Sequence, residues 1–149
     1  MTQPANDKKN LKNKNSKRTD KSQIKGFKKQ GWVRWWRGYR DDPLWKQKRK
    51  FSNFEAQHDL YVEARGVDSP GFQFRYKIVD LERGQLVTSQ RILAKRWLWS
   101  RGSVENFLKN LERRRTIITK SFPLGRSGYT IITLVNYNEL NPLNEIGKK

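Results

Sequence analysis

The chain has 149 residues, with 33 Lys and Arg against 14 Asp and Glu and a formal net charge of +19. Like charges in that excess repel one another on a free folded monomer, so a polyanionic partner (DNA, RNA or anionic lipid) is expected. The absence of cysteine, with His58 as the one histidine, excludes disulfide frameworks and thiolate metal sites and leaves no cofactor expected. No apolar run approaches the ~18–20 residues of a membrane span.

Residues 1–30 hold ten Lys and Arg against Asp7 and Asp20, a net +8, with Leu11, Ile24 and Phe27 as the few apolar residues. A segment of this kind buries too little surface to offset its chain entropy, so it reads as a disordered basic arm. Its lack of an apolar core also argues against a secretory signal, and a cytoplasmic, nucleoid-associated protein is expected. The folded domain is expected over 31–140, followed by a short tail, 141–149.

Trp32, Trp35, Trp36 and Tyr39 recur at helical spacing, with Arg34 and Arg37 opposite, and Asp41-Asp42-Pro43 ends the segment. Such a stripe can lie on a membrane surface, stack on bases, or pack on the domain core or a second subunit. Packing accounts best for this much aromatic surface. A helix over 52–65 follows. Ser52 and Glu55 have capping-box spacing, Phe54, Leu60, Tyr61 and Ala64 supply apolar faces, and Gly66 serves as the stop. His58 within it reads as structural or surface. After a loop from Gly66 to Gly71, Phe72–Leu81 alternates as one half-buried strand. Glu82-Arg83-Gly84 is a turn, and Gln85–Val87 a short returning strand.

Thr88 or Ser89 can cap a helix running to Trp97, Leu98-Trp99 breaks it, and Ser100 caps a second helix over about 101–115. Val104, Phe107, Leu108 and Leu111 form its apolar face. Gly102, Asn106, Lys109 and Arg113 lie opposite, flanked by Arg101, Glu105 and Asn110. Thr116–Lys120 and Tyr129–Val135 are strand-like around a Pro123, Gly125, Gly128 turn. The order helix, strand, helix, helix, strand, strand predicts an α+β winged helix-turn-helix. A recognition helix reads bases with its N-terminal part, so Arg101, Ser103, Glu105 and Asn106 are the base-reading candidates, and Gly102 in the small first turn lets the backbone approach the groove floor. Lys109, Arg113 and Arg114, with Lys120 and Arg126 on the hairpin, are candidates for phosphate contact.

Gly31-Trp32-Val33 through Pro43-Leu44-Trp45, Arg83 through Ser89, Leu93-Ala94-Lys95, Trp99 through Val104, and Asn136-Tyr137 together resemble the winged-helix module of DnaD-like replication proteins. Those proteins occur in low-GC Gram-positive bacteria, their phages and other mobile elements. The resemblance covers about residues 31–140. It implies DNA binding or self-association during replication initiation, with duplex DNA, a second copy or replication proteins as partners. Members carry a second helical domain beyond this module. None follows here before Lys149, so helicase loading is not expected, whereas an origin-binding accessory or a repressor is. No Walker loop, nucleotide fingerprint or Cys/His pair is present, so neither an enzyme nor a small-molecule substrate is expected. The reading from another class is an oligomerisation or partner-docking module.

Overall fold

The computed structural model describes residues 36–125 and 128–142. The arm over 1–30, Trp32 and Trp35, Arg126 and the tail beyond 142 lie outside the described residues. The architecture is mixed α+β, with five α-helices and two small antiparallel sheets among the described residues. The chain divides into two compact units, one ending at Trp45 and the other beginning at Lys46.

In the first unit, Trp36 is extended (φ −72°, ψ 137°) and a 3-10 helix covers Arg37–Asp41. The expected amphipathic helix through Trp36 is therefore not formed there. Trp36 is 90% exposed and adds nothing to a core. Gly38, at high conformational cost, and the Asp-Asp-Pro stop leave room for one tight turn only. Tyr39 meets Trp45 edge-on at 5.0 Å. Asp42 accepts the Leu44 N–H at 2.7 Å at the start of α1 (Pro43–Lys46).

The second unit opens with α2 (Asn53–Glu63). The Ser52 hydroxyl accepts the Glu55 N–H, and the Glu55 carboxylate accepts the Ser52 N–H at 2.8 Å, which is the expected capping box. The Ser52 N–H and the Arg49 side chain hold the Glu55 carboxyl below the usual carboxylate range. The helix stops before Gly66. Ala64 is already extended, and Arg65 exchanges backbone bonds with Gln85 and Gly84. Ala56, Leu60, Val62 and Ala64 are buried, whereas Phe54 is 77% exposed. His58 stacks on Phe54 (6.1 Å, 12°). Burial pushes its imidazole below the usual range, against an opposing pull from Asp59.

Asp59, 1% exposed, receives the Trp97 indole N–H at 2.8 Å and pairs with Arg96 at 2.8 Å. A buried carboxylate is tolerated only when paired in this way. Trp97, Trp99 and Phe107 pack edge-on at 5.1–5.8 Å, and the Trp99 indole donates to the Phe51 carbonyl.

The segment expected as one strand is a hairpin. β1 (Ser69–Phe74) and β2 (Lys77–Leu81) pair antiparallel, and Phe74↔Lys77 is the last pair before a turn at Arg75-Tyr76. Arg75 holds φ +55°. The apolar alternation runs straight through a turn that contains no Gly, Pro or Asn, so no local signal marks it. Gly71 (φ +68°) sits in a register shift, and its N–H donates to Asp80 at 2.7 Å.

β3 (Gln85–Thr88), β4 (Ile117–Phe122) and β5 (Tyr129–Leu134) form the other sheet, in the order β3-β5-β4. Between β3 and β4 run α3 (Gln90–Trp97), capped by Ser89, and α4 (Arg101–Arg113), capped by Ser100. Leu98 in the left-handed region (φ 54°) makes the corner between them. Leu60, Leu93, Val104, Leu108, Ile117 and Ile132 fill the core. α5 (Tyr137–Leu140) closes the unit. Arg83 lies over the Tyr137 ring and donates to Asn138 and to the carbonyls of Gly66 and Asn141. Among the described residues no helix is long and apolar enough to cross a membrane.

Candidate nucleic-acid interface

The sequence of α4 decides which of its sides is free. Val104, Leu108 and Leu111 are buried and Phe107 is half-buried, in the order i, i+4, i+7 and i+3 of one stripe. Gly102, Asn106, Lys109 and Arg113 lie opposite and are exposed, as are Arg101, Ser103, Glu105 and Arg114. The helix is fixed from beneath. Its carboxylate Glu112 accepts the Thr119 N–H at 3.1 Å and the Thr119 hydroxyl, joining the last turn to β4.

The charges on this face are not independent. Lys109 pairs with Glu105 at 2.7 Å, one helical turn apart. The hydrogen bond and charge of Lys109, with a smaller contribution from Arg101, hold the Glu105 carboxyl below its usual range. Glu105 is therefore an ionised acceptor at neutral pH. The Ser103 hydroxyl is engaged with the Ser100 cap at 2.8 Å, so Ser103 serves the helix start. Arg113 reaches Asn110 at 3.4 Å, and Arg114 forms the C-cap. Arg101 and Arg113 stand about 18 Å apart along the axis at 1.5 Å per residue. Arg101 thus stands alone at the start of the helix and Lys109, Arg113 and Arg114 follow along its second half, with Asn106 between them.

Lys120 is exposed on β4 and lies over the Phe122 ring (5.3 Å to the centroid). Phe122 in turn stacks on Tyr129 (4.8 Å, 17°) at the base of the β4–β5 loop. Arg126 lies outside the described residues.

Two arginines to which sequence reasoning gave no role join this surface. A concavity of about 360 Å³ opens between the β4–β5 loop, the first turn of α3, the start of α4 and the β1–β2 turn, and Arg75, Arg91 and Arg101 all line it. Arg75 reaches the Ser89 hydroxyl at 3.4 Å, and its guanidinium lies 5.3 Å from the centroid of the Phe74 ring. Neither residue stands out in the sequence. Arg91 is one basic residue in a mixed helix, and Arg75 gains its place only because the unmarked hairpin folds there. Among the described residues no group of three or more His, Asp or Glu is gathered where it could hold a metal ion. No protein-family model, curated protein or solved structure matches the chain.

Proposed function

We propose that the second unit is a winged helix and that the protein binds duplex DNA, with α3 and α4 as the helix-turn-helix, α4 in the major groove and the β4–β5 hairpin as the wing. The observation that carries this reading is the exposed face of α4. Gly102 lies in its first turn and Asn106 near its middle, Arg101 stands at its start and Lys109, Arg113 and Arg114 along its second half, and Glu105 is the single acid on it. The B-DNA major groove is about 12 Å wide. Cations spaced about 18 Å along a helix suit phosphates on the groove walls, and the amide between them suits a base edge. The antiparallel β3-β5-β4 order, with the β4–β5 loop beside the start of α4, supports the wing assignment.

A role as a replication-initiation accessory of a phage or mobile element rests on the DnaD resemblance. Its blocks fall on the turn, strand and cap from Arg83 to Ser89 and on the interhelical corner from Trp99 to Val104.

The test is a binding titration on a selected site and a scrambled duplex at fixed salt, with melting curves to confirm folding. Asn106→Ala is expected to cost about 1–3 kcal/mol on the selected site and much less on the scrambled one. Arg101→Ala removes a cation facing phosphate and is expected to weaken both duplexes. Arg113→Ala weakens both duplexes alike, and Lys109→Ala does so by less, because Glu105 already offsets its charge. If every variant binds both duplexes like the parent, α4 does not read DNA, and oligomerisation or partner docking replaces this function.

A further inference from the structure

We propose that the Arg75, Arg91 and Arg101 concavity is a seat for one backbone phosphate of duplex DNA, and that the β1–β2 hairpin is a second DNA-contacting arm whose turn delivers Arg75 to that seat. This deepens the duplex-binding reading and rests on it.

Three separate elements bring their cations to one place: the β1–β2 turn, the first turn of α3 and the first residue of α4. All three arginines are exposed, and no acidic side chain is among the described residues lining the concavity. Three other cations on the unit are offset by carboxylates. Arg96 pairs with Asp59, Lys109 with Glu105, and Arg49 with Glu55. Here three like charges converge on a concavity lined by no described acidic side chain, Glu105 acting on Arg101 from the helix face outside it, and a bound anion relieves that arrangement.

The geometry also fits a phosphodiester. Arg75 lies over the Phe74 ring, which supports the guanidinium face and leaves its N–H edge available. Guanidinium edges match phosphate oxygens in pairs. Ser89 and Gln90 line the same concavity at the start of α3, where backbone N–H groups lack helical acceptors. The volume, about 360 Å³, lies at the low end of the ~300–1,000 Å³ of small-ligand clefts. It admits a phosphate with its flanking sugars. Finally, Arg75 sits at φ +55°, a conformation costly for a residue with a Cβ. Strain of that kind is tolerated where position matters more than stability.

The experiment measures the salt dependence of duplex binding by the full chain, for the parent, Arg75→Ala with Arg91→Ala, the matched pair Arg75→Lys with Arg91→Lys, and a control pair, Lys50→Ala with Lys95→Ala. The alanine pair is expected to lower the slope of log K against log salt by about 0.9, the value of one phosphate. It is also expected to weaken binding about tenfold at low salt. The lysine pair keeps most of the slope, and the control pair keeps it all. A scan of duplexes carrying one neutral methylphosphonate then locates the contact. The parent loses affinity at one phosphate beside the groove, and the alanine pair is indifferent to that substitution. An alanine pair with the parent's slope, or with the parent's sensitivity to that phosphate, overturns the seat while leaving duplex binding by α4 intact. If the parent itself does not bind duplex DNA, the seat and the duplex-binding reading fall together.

Discussion

The β4–β5 hairpin pairs without a break from Ile117↔Leu134 to Phe122↔Tyr129, and its β5 strand is hydrogen-bonded on both edges, by β4 and β3. In the β1–β2 hairpin each strand has one partner, the register shifts near Gly71, and the turn places Arg75 in the left-handed region. The outward positions differ as much. β5 buries Ile132 and Leu134 and β2 buries Val79 and Leu81, but on the other face of β2 Ile78 is 77% exposed, and Tyr76 in the turn is 99% exposed. One hairpin is part of the core. The other touches the sheet through Phe74 and Lys77 but leaves Tyr76 and Ile78 in solvent, where they add little to stability. Two elements of the same secondary structure thus differ in how much of the fold they hold.

The largest effect expected from this division is on isoleucine. Ile132→Ala removes a fully buried side chain from the central strand and is expected to cost roughly 2–5 kcal/mol. Ile78→Ala removes the same atoms from an exposed position and stays within about 0.5 kcal/mol. Urea denaturation of both variants checks the pair. If Ile78→Ala costs as much as Ile132→Ala, the tip of β1–β2 is covered in solution, and a second copy is the first partner to look for by sedimentation.

Next in size is the joint between the hairpins. Gly84 (φ +82°) turns the chain from β2 into β3, donates to Arg65 and accepts from Leu134. A Cβ there would sit 2.8 Å from Cβ of Tyr137. Gly84→Ala combines left-handed strain with overpacking and is expected to lose roughly 2–3 kcal/mol. Gly71→Ala has the strain (φ +68°) but nothing within 4 Å, so about 1 kcal/mol is expected. Thermal melts that ranked the two the other way would mean that the fold depends on β1–β2 more than on its joint with the sheet.

What the sequence discloses follows the same division. The α3–α4 corner, both serine caps, the α4 faces and β4–β5 are readable because periodicity, capping residues and Pro/Gly turn chemistry all coincide there. β1–β2 is not readable, because Arg75-Tyr76 has no turn residue and Phe72, Phe74, Tyr76 and Ile78 keep one alternation across it. The candidate site is legible to the same degree. The residues of α4 are marked by their helical face, but Arg75 and Arg91 come to Arg101 only through tertiary folding. The pairing of Lys109 with Glu105 conforms to helical spacing, yet sequence alone left them as separate contacts.

Arg75 also yields a smaller, two-sided effect. Arg75→Gly relieves left-handed strain and is expected to raise stability by about 0.5–1 kcal/mol while weakening duplex binding. Melting and binding measured on the same preparation test both signs. A loss of stability would show that the arginine holds the turn together, and that its strained backbone is a structural requirement of the hairpin.

The smallest effect concerns an aromatic bridge between the hairpins. Tyr129 on β5 stacks on its cross-strand partner Phe122 at 4.8 Å and 17°, and meets Phe74 of β1 at 6.3 Å and 58°. Lys77 of β2 lies over the same Tyr129 ring, 5.3 Å from its centroid. Aromatic pairs in these arrangements contribute about 0.5–1.5 kcal/mol beyond their area. A double-mutant cycle with Phe74→Leu and Tyr129→Leu is therefore expected to give a coupling of about 0.5 kcal/mol, and one with Phe122→Leu and Tyr129→Leu a larger one, near 1 kcal/mol. Leucine keeps each site apolar, so the cycle isolates the ring contact from the loss of burial. The order of the two couplings matters more than their size. Phe122 and Tyr129 belong to one ladder and are held opposite each other by backbone bonds, whereas Phe74 meets Tyr129 only if β1–β2 keeps a fixed attitude to the sheet. A Phe74–Tyr129 coupling of zero beside an intact Phe122–Tyr129 coupling would mean that the two hairpins move independently. Arg75, one residue from Phe74, would then reach its seat only part of the time.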